Sequence, residues 1–149
     1  MRMKKTTTIL ALAVLAAAST TAAHAEKVLM LPLEEAVQLG LAQKKLDGSV
    51  KFYLSGAPTP EGGTAIGEET ANRRTASGGK SKEEACHWVA LSTLIALEEF
   101  AKKRGANAVV DLHSSFKGKV YKDPVNYECH AGNMLTGVTF KGTYVRFGQ

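Results

Sequence analysis

After its first 25 residues, the sequence lacks any apolar run long enough to cross a membrane, since a spanning helix needs about 20 apolar residues. We therefore expect no stable membrane insertion. The sequence also has no large excess of charge of one sign. The chain carries 19 basic and 14 acidic residues, but three of the basic ones precede residue 26, which leaves a net charge of +2 beyond that point. A nearly neutral chain gives little support to a nucleic-acid-binding face, so we expect no nucleic-acid partner.

The start of the chain has the pattern of a secretory signal peptide over residues 1–25. Basic residues precede an apolar run at 9–18, and small residues surround His24 at the expected cleavage site. We expect cleavage after Ala25 and a periplasmic location for a single globular domain at residues 26–149. No cysteine follows the cleavage site, so a lipid anchor is not expected.

Cysteine is scarce, and its two occurrences leave two chemistries open. Cys86 precedes His87 and Cys129 precedes His130, and two Cys with two His form a common tetrahedral metal set. Adjacent residues diverge on a helix and alternate on a strand, so neither Cys-His pair chelates easily. Two lone cysteines in an exported domain fit a disulfide instead. We expect the disulfide and no cofactor, and keep the metal set as the alternative.

A complete phosphate-binding loop is also absent. Gly79, Lys80 and Ser81 match the second half of such a loop, but Arg74 stands where the first glycine is required. Nucleotide binding is therefore not expected. Ser81 followed by Glu84 is typical of a capping box at the start of a helix.

The remaining pattern predicts an α/β (α+β) domain with the order β-α-β-β-α-β-β. The central unit is a long helix that stops at Gly105 and turns through Asn107 into a buried β-branched strand. The expected elements are strands at 28–31 and 50–54, a helix at 33–45, a strand at 64–73 within a flexible loop region at 56–79, the long helix at 81–104, a strand at 107–112, a loop at 116–126 and a hairpin or bent strand at 134–147.

Candidate catalytic residues are few. Asp111 and His113 are separated by one residue on the predicted strand, which would place them on the same face. A lone Asp and His at this spacing are more often ordinary polar residues than catalysts, so no catalytic residue is assigned. A hydrolytic or thiol-dependent enzyme would need a pocket that brings these groups together.

Several stretches carry a resemblance to known proteins. They are LDGSVKFYL at 46–54, ANRRT at 71–75, KKRGANAVVDLHS at 102–114 and YECHAGNMLTGVTFKGTYV at 127–145. Together they resemble a family of small exported proteobacterial proteins of uncharacterised function, some of which carry a label borrowed from the excinuclease ATPase subunit.

A weaker resemblance links the helix, the turn and the later cysteine segment to the folded domain of the Rcs envelope-stress sensor lipoprotein. The same helix and strand are similar to small metal-binding-type proteins with a GANAVV turn. The likeness to the sensor implies that Cys86 and Cys129 are disulfide cysteines, and that Gly105, Ala106 and Asn107 form a tight helix-to-strand turn.

These observations favour a non-enzymatic periplasmic module that takes part in interactions or in envelope stress, with a protein partner in the cell envelope. The alternative is a periplasmic metal-binding protein that uses Cys86, Cys129 and the nearby histidines. A thiol-dependent or hydrolytic enzyme is the third possibility.

Overall fold

The computed structural model describes residues 26–148, so the expected signal peptide lies outside the described residues, as does Gln149. The described chain forms a mixed α+β fold with two helices and seven strands, which confirms the predicted fold class. The elements are β1 (Lys27–Pro32), α1 (Leu33–Ala42), β2 (Lys51–Leu54), β3 (Thr64–Ala76), α2 (Lys82–Lys103), β4 (Ala108–Phe116), β5 (Lys119–Tyr121), β6 (Asn126–Ala131) and β7 (Leu135–Arg146).

All seven strands belong to one mixed sheet in the order β1-β6-β7-β4-β2, with β3 also paired to β7 and β5 to β4. β3 follows one edge of β7 over nearly its whole length, whereas β4 and β6 share the opposite edge. The pairing of β2 with β4 is parallel, and the other pairings are antiparallel. Because two strands share one edge of β7, the sheet divides there and curls around the long helix.

The long helix α2 fills the inside of this curl. Its Leu91, Leu94 and Leu97 are fully buried, and they belong to one core cluster with the sheet residues Tyr127 and Phe140. The predicted central unit is therefore present, with α2 as the element on which the sheet packs.

The predicted buried strand is β4, and it contains a bulge. Asp111 has a positive φ of 49°, and the pairing with β7 shifts between Val110 and His113. A Cβ atom at Gly142 on β7 would lie 2.5 Å from Cγ1 of Val109, so only glycine fits opposite this region. The bulge on β4 thus lies opposite Gly142 of the closing segment.

The short helix α1 packs against α2 through a close approach at Gly40. A Cβ atom there would lie 2.6 Å from Leu46 and Leu91 side-chain carbons. The chain then turns back, with the Leu46 amide donating to the Gly40 carbonyl at 3.1 Å. This turn places Asp47 beside the second half of α2.

The structure confirms or narrows two of the less regular predicted segments and corrects a third. The strand predicted at 64–73, within the expected loop region 56–79, is present as β3, and it runs on to Ala76 because its backbone pairs with β7, although few of its side chains are buried. The expected loop at 116–126 contains β5, and β6 follows it, so two strands add to the predicted order. The closing segment, expected as a hairpin or a bent strand, is one long strand.

Neither helix in residues 26–148 is sufficiently long and apolar to span a membrane.

Candidate functional site

Cys86 and Cys129 form a disulfide, with their Cα atoms 5.9 Å apart. The bond joins the beginning of α2 to β6, and both residues are fully buried. The alternative metal set that included both sulfurs is therefore not formed, because each sulfur is bonded to the other. Within residues 26–148 no cluster of three or more His, Cys, Asp or Glu side chains is placed to hold a metal ion.

The two histidines of that alternative set lie beside carboxylates in separate places. His87 Nε2 is 2.9 Å from an oxygen of Glu35, which joins α2 to α1. His130 Nε2 is 2.5 Å from Glu128, and its Nδ1 is 3.2 Å from Glu26. Because these carboxylates approach opposite ring nitrogens of His130, the three groups cannot converge on one metal ion.

Asp111 and His113 do not pair as catalytic groups would. His113 Nδ1 lies 2.6 Å from the backbone carbonyl of Asp111, whereas the Asp111 carboxylate is 4.0 Å away. The bulge turns this carboxylate toward Ser55 and Lys122, whose hydrogen bonds lower the pKa of Asp111. The simple alternation of an ideal strand, on which the expectation rested, fails at the bulge.

The predicted cap and turn residues have structural roles. The Ser81 hydroxyl accepts a hydrogen bond from the Glu84 amide at 3.0 Å and caps α2. Gly105 has a φ of +72°, which permits the sharp exit from the helix. Asn107 then exchanges two hydrogen bonds with the backbone of Phe147, at 3.0 and 2.9 Å, and fixes the turn to the end of β7.

The feature best shaped for binding is a pocket of about 410 Å³ that opens between α1 and β2. Apolar side chains form most of its wall, and Glu98 of α2 lies among the lining residues. Such a mixture of apolar surface and a few polar groups is typical of small-molecule sites. The apolar residues that line the pocket are Leu33, Val37, Leu41, Leu46, Val50, Phe52, Leu54, Ala57, Pro124 and Val125.

Glu98 is the unusual residue of this pocket, since only 4% of its surface is exposed. Its Oε1 accepts hydrogen bonds from Lys102 Nζ at 3.1 Å and from the Asp47 amide at 3.4 Å. Its Oε2 is buried and has no hydrogen-bond partner in the described residues. A buried carboxylate oxygen without a donor is costly, and such groups require an explanation.

Lys102 is shared between two carboxylates. It contacts Asp47 directly as well as Glu98, and Asp47 also accepts a hydrogen bond from the Ser49 amide at 2.8 Å. The hydrogen bond from Lys102 holds the pKa of Asp47 far below its usual range, and the same contact, with help from Glu98, raises the pKa of Lys102. The Lys102 ammonium thus forms ion pairs with both carboxylates at the edge of the pocket.

Sequence reasoning did not identify Glu98, although the helix contained a signal. Glu98 follows Leu94 by four residues and Leu91 by seven, and those spacings place it on the buried face of α2. An acidic residue in that position predicts either a buried polar contact or a site.

Comparison with known proteins gave no match, either to a protein-family model or to a curated protein, so the resemblances based on sequence stay predictions.

Proposed function

We propose that the protein is a non-enzymatic binding module of the cell envelope that holds a small ligand in the pocket between α1 and β2. The observation that carries this proposal is an apolar pocket of about 410 Å³ lined in part by a buried, incompletely hydrogen-bonded carboxylate. Pockets of this size and composition bind small molecules by burying their apolar surface and fixing one polar group.

Two observations support the expected compartment. The start of the sequence has the pattern of a signal peptide, and the Cys86–Cys129 disulfide is typical of proteins in an oxidising environment such as the periplasm. A role in envelope stress, which the resemblance to the Rcs sensor implies, belongs to the same proposal.

We propose a non-enzymatic role because the candidate reactive groups already bond to, or pair with, other residues. The Cys86 sulfur is part of the disulfide, and the Asp111 carboxylate faces Lys122 instead of the His113 ring. A turnover assay on a broad substrate panel that found activity abolished by Asp111→Asn would contradict this part of the proposal.

A neutral apolar dye tests whether the pocket binds ligands. Val37 is half-buried on α1 and lines the pocket, so Val37→Trp should fill the cavity and weaken the binding of Nile red at least about tenfold, a loss of roughly 1.4 kcal/mol. The measurement is the saturable rise of dye fluorescence. Val28→Trp, at an exposed position of β1 outside the pocket, is the matched control and should bind like the wild type.

Two results would contradict the proposed pocket. One is the absence of saturable dye binding to the wild-type protein. The other is equal dye binding by the wild type and Val37→Trp, provided that Val37→Trp and Val28→Trp both unfold at a temperature close to that of the wild type.

A second candidate function is the expected contact with an envelope protein, which the edge of β3 favours. β3 has 13 residues and pairs only with β7 among the described strands, so its other edge presents free backbone groups for strand addition. Ile66 on this strand is 41% exposed. Affinity capture from a periplasmic extract should recover a specific partner with the wild type and lose it with Ile66→Glu. Recovery of no specific partner, or of the same partner with both proteins, contradicts this candidate.

A further inference from the structure

The charges around the pocket are not balanced. Glu34 and Glu98 line it with negative charge, Lys51 lines it with positive charge, and Asp47 and Lys102 form the ion pair at its edge. These five groups sum to one negative charge. A ligand with one positive charge would therefore neutralise this net negative charge, whereas an anionic ligand would be repelled by it.

Hydrogen bonding points to the same kind of ligand. Glu98 Oε1 has two donors from the protein, but Oε2 has none. A carboxylate accepts only, so the missing partner must be a donor, and a primary ammonium offers three. The last torsion of a glutamate side chain is soft, which lets the Glu98 carboxylate turn toward a head group that arrives in the pocket.

The apolar side chains of the pocket wall indicate the chemistry of the rest of the ligand. Val37, Leu41 and Phe52 line the pocket and are only partly buried, so a ligand that covered them would remove apolar surface from water. Glu98 lies on α2, which passes behind α1 and β2 and is continuous with the protein core. The arrangement suits an apolar body with a polar head.

We infer that the pocket binds a small cationic amphiphile whose ammonium head donates to Glu98 and whose apolar body lies against Val37, Leu41 and Phe52. This inference rests on the proposed function, since it names the ligand class of the same pocket. Charge-assisted hydrogen bonds are about twice as strong as neutral ones, so the head group should dominate selectivity.

Three ligands with the same alkyl chain test the head-group preference by isothermal titration calorimetry at pH 7. The wild type should bind n-octylamine about tenfold more tightly than n-octanol, and it should bind octanoate more weakly than n-octanol. In Glu98→Gln, which keeps the shape of the side chain and removes its charge, amine and alcohol should bind within about threefold of each other. Equal affinities in the wild type, or a preference for the amine that survives in Glu98→Gln, would overturn the inference.

The outcomes separate this inference from the proposed function. If none of the three ligands binds, the pocket itself fails. If n-octanol binds and Val37→Trp prevents it, but the amine has no advantage, the pocket stands and the ligand class is wrong.

A second variant keeps the test valid if Glu98→Gln does not fold. Lys102→Met removes the cation that competes for Glu98, so the preference for n-octylamine over n-octanol should rise severalfold. Lys103→Met is the matched control, because it changes the net charge equally on the next residue of α2, whereas among the described residues it is Lys102 that pairs with Glu98 and Asp47. An unchanged or reduced preference in Lys102→Met would also overturn the inference.

Discussion

Reduction of the Cys86–Cys129 disulfide is expected to lower the free energy of unfolding by about 4 kcal/mol, because the bond closes a loop across 43 positions and restricts the unfolded chain. The bond also joins the beginning of α2 to β6, so its loss frees two core elements from each other. Both cysteines have no exposed surface, which protects the bond in the folded protein.

Urea unfolding of the protein, with and without reductant, measures this effect. The double variant Cys86→Ala with Cys129→Ala should unfold at a lower urea concentration than the oxidised wild type and should be insensitive to reductant. Identical midpoints for oxidised and reduced wild-type protein would be incompatible with the assigned role of the disulfide. Alkylation of the native protein by a thiol reagent would show that the disulfide is absent.

Replacement of Phe140 by alanine is expected to destabilise the fold by about 3–5 kcal/mol, the usual cost of removing a buried aromatic side chain. Phe140 lies on β7 with no exposed surface, and its ring meets that of Tyr127 edge to face, with the centroids 5.7 Å apart. Part of the loss is therefore the aromatic contact, and the rest is apolar burial plus the cavity that remains.

Leu135→Ala is the matched control for Phe140→Ala because it lies on the same strand but is 53% exposed. Its free energy of unfolding should change by no more than about 0.5 kcal/mol. Chemical denaturation of both variants provides the comparison. Similar losses for the two variants would mean that β7 does not face the core as the structure describes.

The long helix and its exit could be predicted from local chemistry. The hydroxyl of Ser81, the acidic first turn and the basic last turn all favour a helix between fixed ends, and Gly105 supplies the left-handed residue that ends it. Tertiary contacts then add to these preferences and do not oppose them, which explains why the prediction succeeds.

The strand β3 was predicted three residues too short and β6 was missed, for different reasons. β3 buries only Ala71 well, so its side chains give almost no apolar alternation, and its backbone is held by pairing with β7. Buried and partly buried residues do alternate along β6, with Tyr127, Cys129 and Ala131 buried. The strand has only six residues, however, and its pairing with β1 and β7 is unknown from the sequence, so the alternation alone is a weak signal.

The candidate site could be predicted only in part. The disulfide follows from cysteine usage and from the resemblance, whereas the pocket depends on the distance between α1 and β2, which no local pattern encodes. Asp111 illustrates the same limit, since its positive φ at the bulge changes which groups its carboxylate meets. The buried position of Glu98 was visible in the helical spacing, but its incomplete hydrogen bonding was not.

The most direct test of the pocket between α1 and β2 is chemical-shift mapping of the protein by ¹H–¹⁵N NMR during titration with n-octanol. The largest shifts should fall on the backbone amides of lining residues such as Leu41, Val50 and Phe52, and on that of Glu98. Saturating shifts confined to β3 or β1, or no shifts at all, would contradict the proposed pocket.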